Sequence, residues 1–292
     1  MRAERLIPED RACARGVRGA MALSALIVLC AILLSAAPAT ATHHDQAPDA
    51  AASASAQILN AGETPDATVL IKQVDEHMRG QTQYAEMTMK VIRPDWSRET
   101  SMKTWTKGRD YSLVYITAPA RDKGTAFLKR GNEIWNWLPS IGRVIKIAPS
   151  MMLQPWMGSD FTNDDLVKES SVVRDYTHEI IGTEEIDGQT CWKVRLTPLP
   201  EAAVVWGSVL VWVKQDEPIE LRIEFYDEGG NLVNVQTLSD IKKLGGRRVP
   251  TVLTMTPVDK PGQSTVLTFN AATFDEPIED SFFSEQQMKR MH

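Results

Sequence analysis

The side chains closest to a reactive constellation are Asp160, Asp164 and Asp165, three carboxylates within six residues. Such a cluster could hold a hard cation or divide general acid and base work. Calcium loops, however, need more oxygen ligands at tighter spacing. Acids ahead of a short helix also cap its N-terminus and complement its dipole, and this reading is preferred. Cys191 stands beside Trp192 in an alternating segment, where a lone Cys is usually a small buried hydrophobe rather than a nucleophile. His77 and His178 are the only histidines between residue 64 and the terminal His292, and His43 and His44 fall in an Ala/Ser/Pro-rich tail without fixed partners. The zinc-protease helix, the serine-hydrolase elbow, the phosphate loop and the dinucleotide glycine fingerprint are absent. No catalytic residue, metal or cofactor is assigned. A hydrolase working through the three aspartates is the least favoured function.

Apolar material is more prominent. The chain has eight Trp and twelve Met, and only Met1 and Met21 fall within the first 41 residues. Met adapts to irregular shapes and suits a surface that grips varied apolar ligands. The stretch 149–169 crowds Met151, Met152, Leu153, Trp156, Met157 and Phe161 around Pro155 and Gly158. An irregular segment of that kind runs over the surface, and an exposed apolar patch there marks binding. A lid over a greasy cavity accounts for it. Met87, Met89, Trp135 and Trp137 are further cavity candidates, with ordinary core as the equal alternative.

These residues need elements to position them. Thr64-Pro65-Asp66 reads as a helix start with Thr64 as cap. Val69, Leu70, Val74 and Met78 follow at helical spacing, and Gly80 ends the helix. The period then changes to two: Ala85, Met87, Met89 and Val91 alternate with polar residues. Further strands are expected at 99–107, 110–117, 125–129, 133–138 and 143–147. A second series is expected at 176–186, 190–197, 207–214, 218–227, 231–243, 248–256 and 264–274. Glycine-bearing turns such as Asp187-Gly188 and Gly245-Gly246 separate them. The expected fold is mainly β: a large curled antiparallel sheet or unclosed β-barrel, with an N-terminal helix and lid helices. Ser159 or Asp160 is expected to cap a short helix reaching Lys168, and the C-terminal SFFSEQQMKRMH to form a last helix docked through Phe282 and Phe283.

The N-terminus carries Arg2, Arg5, Arg11, Arg15 and Arg18, then an apolar run from Ala20 to Ala37, then Ala39-Thr40-Ala41. This order is a secretory signal peptide. The run is as long as the shortest spanning helix, so an uncleaved inner-membrane anchor is the alternative. Cys30 lies inside the run after Ile27-Val28-Leu29, unlike a lipid-modified Cys. The expected organisation is a signal peptide at 1–41, a disordered tether at 42–63, and one domain at 64–292 in the periplasm. Beyond residue 41, 27 basic residues face 35 acidic ones, which argues against nucleic acid and against tight adhesion to anionic lipid headgroups. Only Cys191 remains there, so no internal disulfide can form.

Three segments carry a resemblance. Lys123-Gly124-Thr125-Ala126-Phe127-Leu128 is the first. Ile134-Trp135-Asn136-Trp137-Leu138-Pro139-Ser140 with Arg143-Val144-Ile145-Lys146-Ile147 is the second. Gly158-Ser159-Asp160-Phe161 with Asp164-Asp165-Leu166 is the third and most specific. Together they resemble the outer membrane lipoprotein-sorting protein family, the LolA-like periplasmic group, from about Thr64 to the C-terminus. Trp137 stands where the pattern has Tyr. The resemblance implies an unclosed β-barrel around an apolar cavity with a helical lid. It implies a monomeric, non-catalytic carrier of lipoprotein acyl chains or another lipid, working between an inner-membrane RND-type transporter and an outer-membrane acceptor. It also implies an Arg that bonds the lid and is displaced by cargo, a role for which Arg98 is the candidate. The competing class is an interaction subunit of such a transporter, with no diffusing cargo. Each buried CH₂ contributes ~0.8 kcal/mol, so a dry cavity holds a long chain strongly.

Overall fold

The computed structural model describes residues 64–163, 165, 172–202 and 204–291. The expected signal peptide, the tether with His43 and His44, Asp164, and most of the helix expected to reach Lys168 lie outside them.

Thirteen antiparallel strands form one sheet. In chain order these are β1 (Thr82–Arg93), β2 (Trp96–Lys107), β3 (Tyr111–Ala118), β4 (Ala126–Arg130), β5 (Glu133–Leu138), β6 (Arg143–Lys146), β7 (Tyr176–Ile186), β8 (Gln189–Pro198), β9 (Ser208–Lys214), β10 (Glu220–Tyr226), β11 (Leu232–Leu244), β12 (Arg247–Pro257) and β13 (Ser264–Phe274). Their order across the sheet is β6-β5-β4-β3-β2-β1-β13-β12-β11-β10-β9-β8-β7. The two sequence series therefore join at the centre, where β1 pairs with β13, and β6 and β7 remain as edges. The sheet is curled and unclosed, in accord with the expected fold class.

Helices flank it on both faces. Helix α1 (Ala67–Arg79) is capped by Asp66, whose carboxylate accepts the Val69 N–H at 2.9 Å, so the cap falls two residues after Thr64. Gly80 terminates it at φ 68°, a conformation open to glycine at little cost. Leu70, Ile71 and Val74 pack against Tyr176, Val194, Leu196, Val209 and Val211 on one face of β7–β9. Helix α2 (Glu285–Arg290) lies against the other face of the first series. Phe283 and Met288 are fully buried there against Leu113, Tyr115 and Leu128.

Strand alternation sorts the side chains. Along β1, Ala85, Met89 and Val91 are fully buried. Cross-strand pairs share a face, so Met87 opposite Met102 and Met89 opposite Thr100 set one row toward the interior. The turns β1–β2, β3–β4, β5–β6 and β12–β13 all fall at one end of the sheet. The C-terminus of α1 lies at the opposite end, where Asp75 pairs with Arg109 beyond β2 at 2.6 Å, and His77 bonds the Arg248 carbonyl at 2.7 Å.

Candidate functional site: a lidded apolar cavity

A cavity of about 310 Å³ lies between the inner face of the sheet, α1 and the segment 156–161. That volume falls at the lower end of ligand pockets, which run from about 300 to 1,000 Å³. Helix α1 contributes Ile71, Val74 and Met78, while the first series contributes Met87, Met102 and Val114. The second series contributes Leu196, Val211, Ile223, Phe225, Met255 and Phe269, and the loop before β9 adds Trp206. Polar groups gather toward the C-terminal half of α1. Asp75 is buried there between Arg79 at 3.2 Å and Arg109 at 2.6 Å, and the buried Thr106 hydroxyl has no protein partner. The wall is thus apolar along its length, with an ion-paired patch of one carboxylate and two guanidiniums near the helix.

The segment 149–163 follows from its own sequence. Pro149 opens one short 3-10 turn, and Trp156–Gly158 forms another after Pro155. Met157 and Gly158 both adopt the left-handed region, at φ 50° and 72°, so the chain doubles back after Trp156. The Trp156 N–H donates to the Phe161 carbonyl at 2.7 Å, and the Ser159 hydroxyl donates to the Trp156 carbonyl at 2.7 Å. This tight loop drives the Trp156 ring inward. It is 3% exposed and meets Phe127 edge-on, with centroids 5.4 Å apart.

Two arginines and a threonine hold the loop. Arg93 donates to the Asp160 carboxylate and to the Gly158 carbonyl, each at 3.0 Å. The Thr265 hydroxyl donates to the same carboxylate at 2.7 Å, and Arg98 donates to the Met157 carbonyl. Asp165 and Thr162 bond each other's backbone N–H, at 2.7 and 3.1 Å, as a reciprocal capping pair. The cap is therefore Thr162, in place of Ser159 or Asp160, because Ser159 closes its own turn and Asp160 faces Arg93.

The predicted residues fall in different parts of the structure. Met87, Trp156 and Phe161 line the cavity. Met89 is fully buried beneath Trp156, and Met157 packs on that same cluster with Val91, Ile116 and Phe127. Arg98 lies at the lid. Met151 and Met152 pack instead on Ile134 and Ile147, away from the cavity. Trp135 and Trp137 fall on the outer face under α2, because β5 turns Asn136 inward between them. Arg93, the walls from α1 and β8–β13, and Trp206 were not singled out beforehand. The alternation of those strands was visible, but which face met a cavity was not.

The Cys191 thiol is buried and pushed up to about 11 by that burial. Among the described residues there is no group of three His, Cys, Asp or Glu placed to hold a metal, and no helix long and apolar enough to cross a membrane.

Three solved structures share this architecture. A DUF1329 family protein from Desulfovibrio piger is 26% identical over 76% of this chain and 97% of its own, with a TM-score of 0.69. A putative outer membrane lipoprotein-sorting protein domain from Vibrio parahaemolyticus is 23% identical over 77% and 98%, with a TM-score of 0.68. A LolA superfamily protein from Nitrosomonas europaea is 23% identical over 77% and 100%, with a TM-score of 0.66. No curated protein matches the chain. A family described as "Uncharacterized protein" matches residues 108–290, so the chain belongs to that family, built on the LolA-like fold.

Proposed function

We propose that the chain is an exported, non-catalytic carrier that holds a lipoprotein acyl chain or another lipid in the lidded cavity. In this reading residues 1–41 are a cleaved signal peptide, 42–63 a tether, and 64–292 the carrier domain in the periplasm. The observation that carries it is the Trp156 lid: an aromatic plug seated on an apolar wall and held by bonds that can be broken one at a time. Methylene groups entering the cavity displace Trp156 and replace its contacts, while Arg93 and Arg98 release the loop's carbonyls. Arg98 is the latch in this scheme and Arg93 its partner. Among the described residues, the two carboxylates of the acidic cluster have structural tasks. Asp160 answers Arg93 and Thr265, and Asp165 caps with Thr162. Loading from an inner-membrane RND-type transporter and delivery to an outer-membrane acceptor complete the reading.

Native mass spectrometry of the purified protein, followed by organic extraction, tests it. A co-purifying mass that extracts as lipid is expected. A bare protein mass, with no uptake of added fatty acid or phospholipid, overturns the carrier and leaves a transporter subunit.

A further inference from the structure

Among the described residues, three of the six large hydrophobic side chains left exposed gather at one end of the sheet, apart from Val69 on α1, Ile145 on β6 and Leu153 ahead of the 156–161 loop. Trp96, Ile141 and Val258 are 50, 56 and 50% exposed, and each sits in or beside a hairpin turn. All three turns lie at the lid end of the sheet. The turns at the opposite end, Gly108–Asp110, Gly131-Asn132, Asp187-Gly188, 215–219 and Gly245-Gly246, expose no large hydrophobic residue, Ile219 being fully buried. Neighbouring lid-end turns stand close together in pairs. A Cβ on Gly124 would meet Pro139 at 3.3 Å, joining β3–β4 to β5–β6, and one on Gly262 would meet Pro94 at 3.7 Å, joining β12–β13 to β1–β2. Leu153, 61% exposed, belongs to the segment leading into the lid itself.

We infer that this rim of turns is a docking surface for a lipid bilayer, and that it sets the cavity mouth against the membrane. The inference rests on the carrier reading. The three apolar tips spread over six strand spacings, roughly 30 Å of sheet edge. A protein partner is gripped by a central cluster of anchors, whereas a flat fluid surface accepts separate shallow insertions. An indole beside aliphatic tips is the composition of a membrane–water interface. Charge agrees. The four turns carry Arg121, Lys123 and Lys260 against Asp95, Asp122 and Asp259, locally neutral on a chain of net charge −6. Phosphate headgroups are tolerated at this edge, while the acidic remainder keeps docking brief.

The test is flotation of the mature protein with vesicles of phosphatidylethanolamine and phosphatidylglycerol. Trp96→Ser, Ile141→Ser and Val258→Ser are combined, and Val69→Ser, equally exposed but on α1, serves as control. Roughly tenfold weaker partition of the triple variant, with the control unchanged, is expected. Absence of flotation by the wild type, as for a rim that meets a protein, overturns the inference, as does equal flotation of the triple variant. Uptake of a fluorescent fatty acid added from ethanol, without vesicles, is measured alongside. It reports on the cavity alone, so failed docking and a failed carrier reading are distinguished.

Discussion

The Arg93 guanidinium, on the last residue of β1, stands 3.0 Å from the Asp160 carboxylate, with both side chains largely shielded from water. This one pair ties the lid to the sheet end from which the rim projects. Removing one partner of a buried pair costs ~3–5 kcal/mol when the other charge stays buried. In the carrier reading the loop lifts and lets water reach Arg93. Asp160→Ala should therefore lower global stability by only about 2 kcal/mol or less, while amide exchange across 156–163 accelerates strongly. Unchanged exchange in that segment would show that the pair does not hold the lid.

Trp156 lines the cavity and fills space that, in the carrier reading, a ligand takes. If the plug competes with an acyl chain, an empty carrier spends most of its time in a conformer that excludes cargo, and its apparent affinity falls by that fraction. Trp156→Ala removes the competitor. Affinity for a fluorescent fatty acid should rise roughly tenfold, even as the empty protein loses stability through the vacated space. A fall in affinity would instead make Trp156 part of the ligand's binding wall.

Much of this was legible beforehand because a period of two is explicit in segments such as Ala85–Val91. Strands 133–138, 176–186 and 264–274 match the expected limits to the residue. The Asp66 and Thr162 caps were displaced by two or three residues, since Thr, Ser and Asp are all competent caps and only backbone geometry chooses among them. Trp156 and Phe161, which line the cavity, stand out from composition. Trp135 and Trp137 sat correctly on one face of a strand, but a sheet covered on both sides offers two apolar faces, and alternation alone does not say which one meets the cavity. Only the docking of Phe283 and Met288 decides it.

Cys191 offers a clean probe of integrity. Burial raises its thiol to about 11, so the reactive thiolate is suppressed at ordinary pH. The folded protein should not react with a disulfide reagent at pH 8, and urea should release one thiol per chain beyond residue 41. The sign for stability follows: a raised acid contributes fully below its unfolded value near 9 and loses that contribution as pH climbs toward 11. Rapid labelling of native protein would place Cys191 at the surface.

Glu217 behaves in the opposite sense. A hydrogen bond from Lys214 at 2.8 Å, then one from Arg248 at 2.7 Å, holds its carboxyl below the usual range. Stability from a depressed carboxylate is present above its unfolded value and lost as pH falls through the folded one. Lys214→Met should cost about 1.5 kcal/mol at pH 7 and progressively less below pH 4, measured by urea denaturation. A penalty that persists undiminished at pH 3 would assign it to packing.

Gly207 marks the point where backbone meets backbone at the cavity's edge. Its N–H donates to the Tyr226 carbonyl at 2.9 Å, and an added Cβ would stand 2.4 Å from the Asp227 carbonyl oxygen and 2.7 Å from the Glu228 Cα. No side chain can swing aside there, so any larger residue must push the β10–β11 turn away. Trp206, the preceding residue, stacks on Phe225 with centroids 5.1 Å apart, and both line the cavity. Gly207→Ala should thus do two things at once. It should lower stability by about 2 kcal/mol through overpacking, and it should shift the Trp206 wall. Near-ultraviolet dichroism and fatty-acid affinity should change together, because the displaced turn and the cavity wall are one rigid unit. A variant that loses stability but keeps both signals would show that the turn moves without the wall, and that the second half of the sheet frames the cavity independently of this junction.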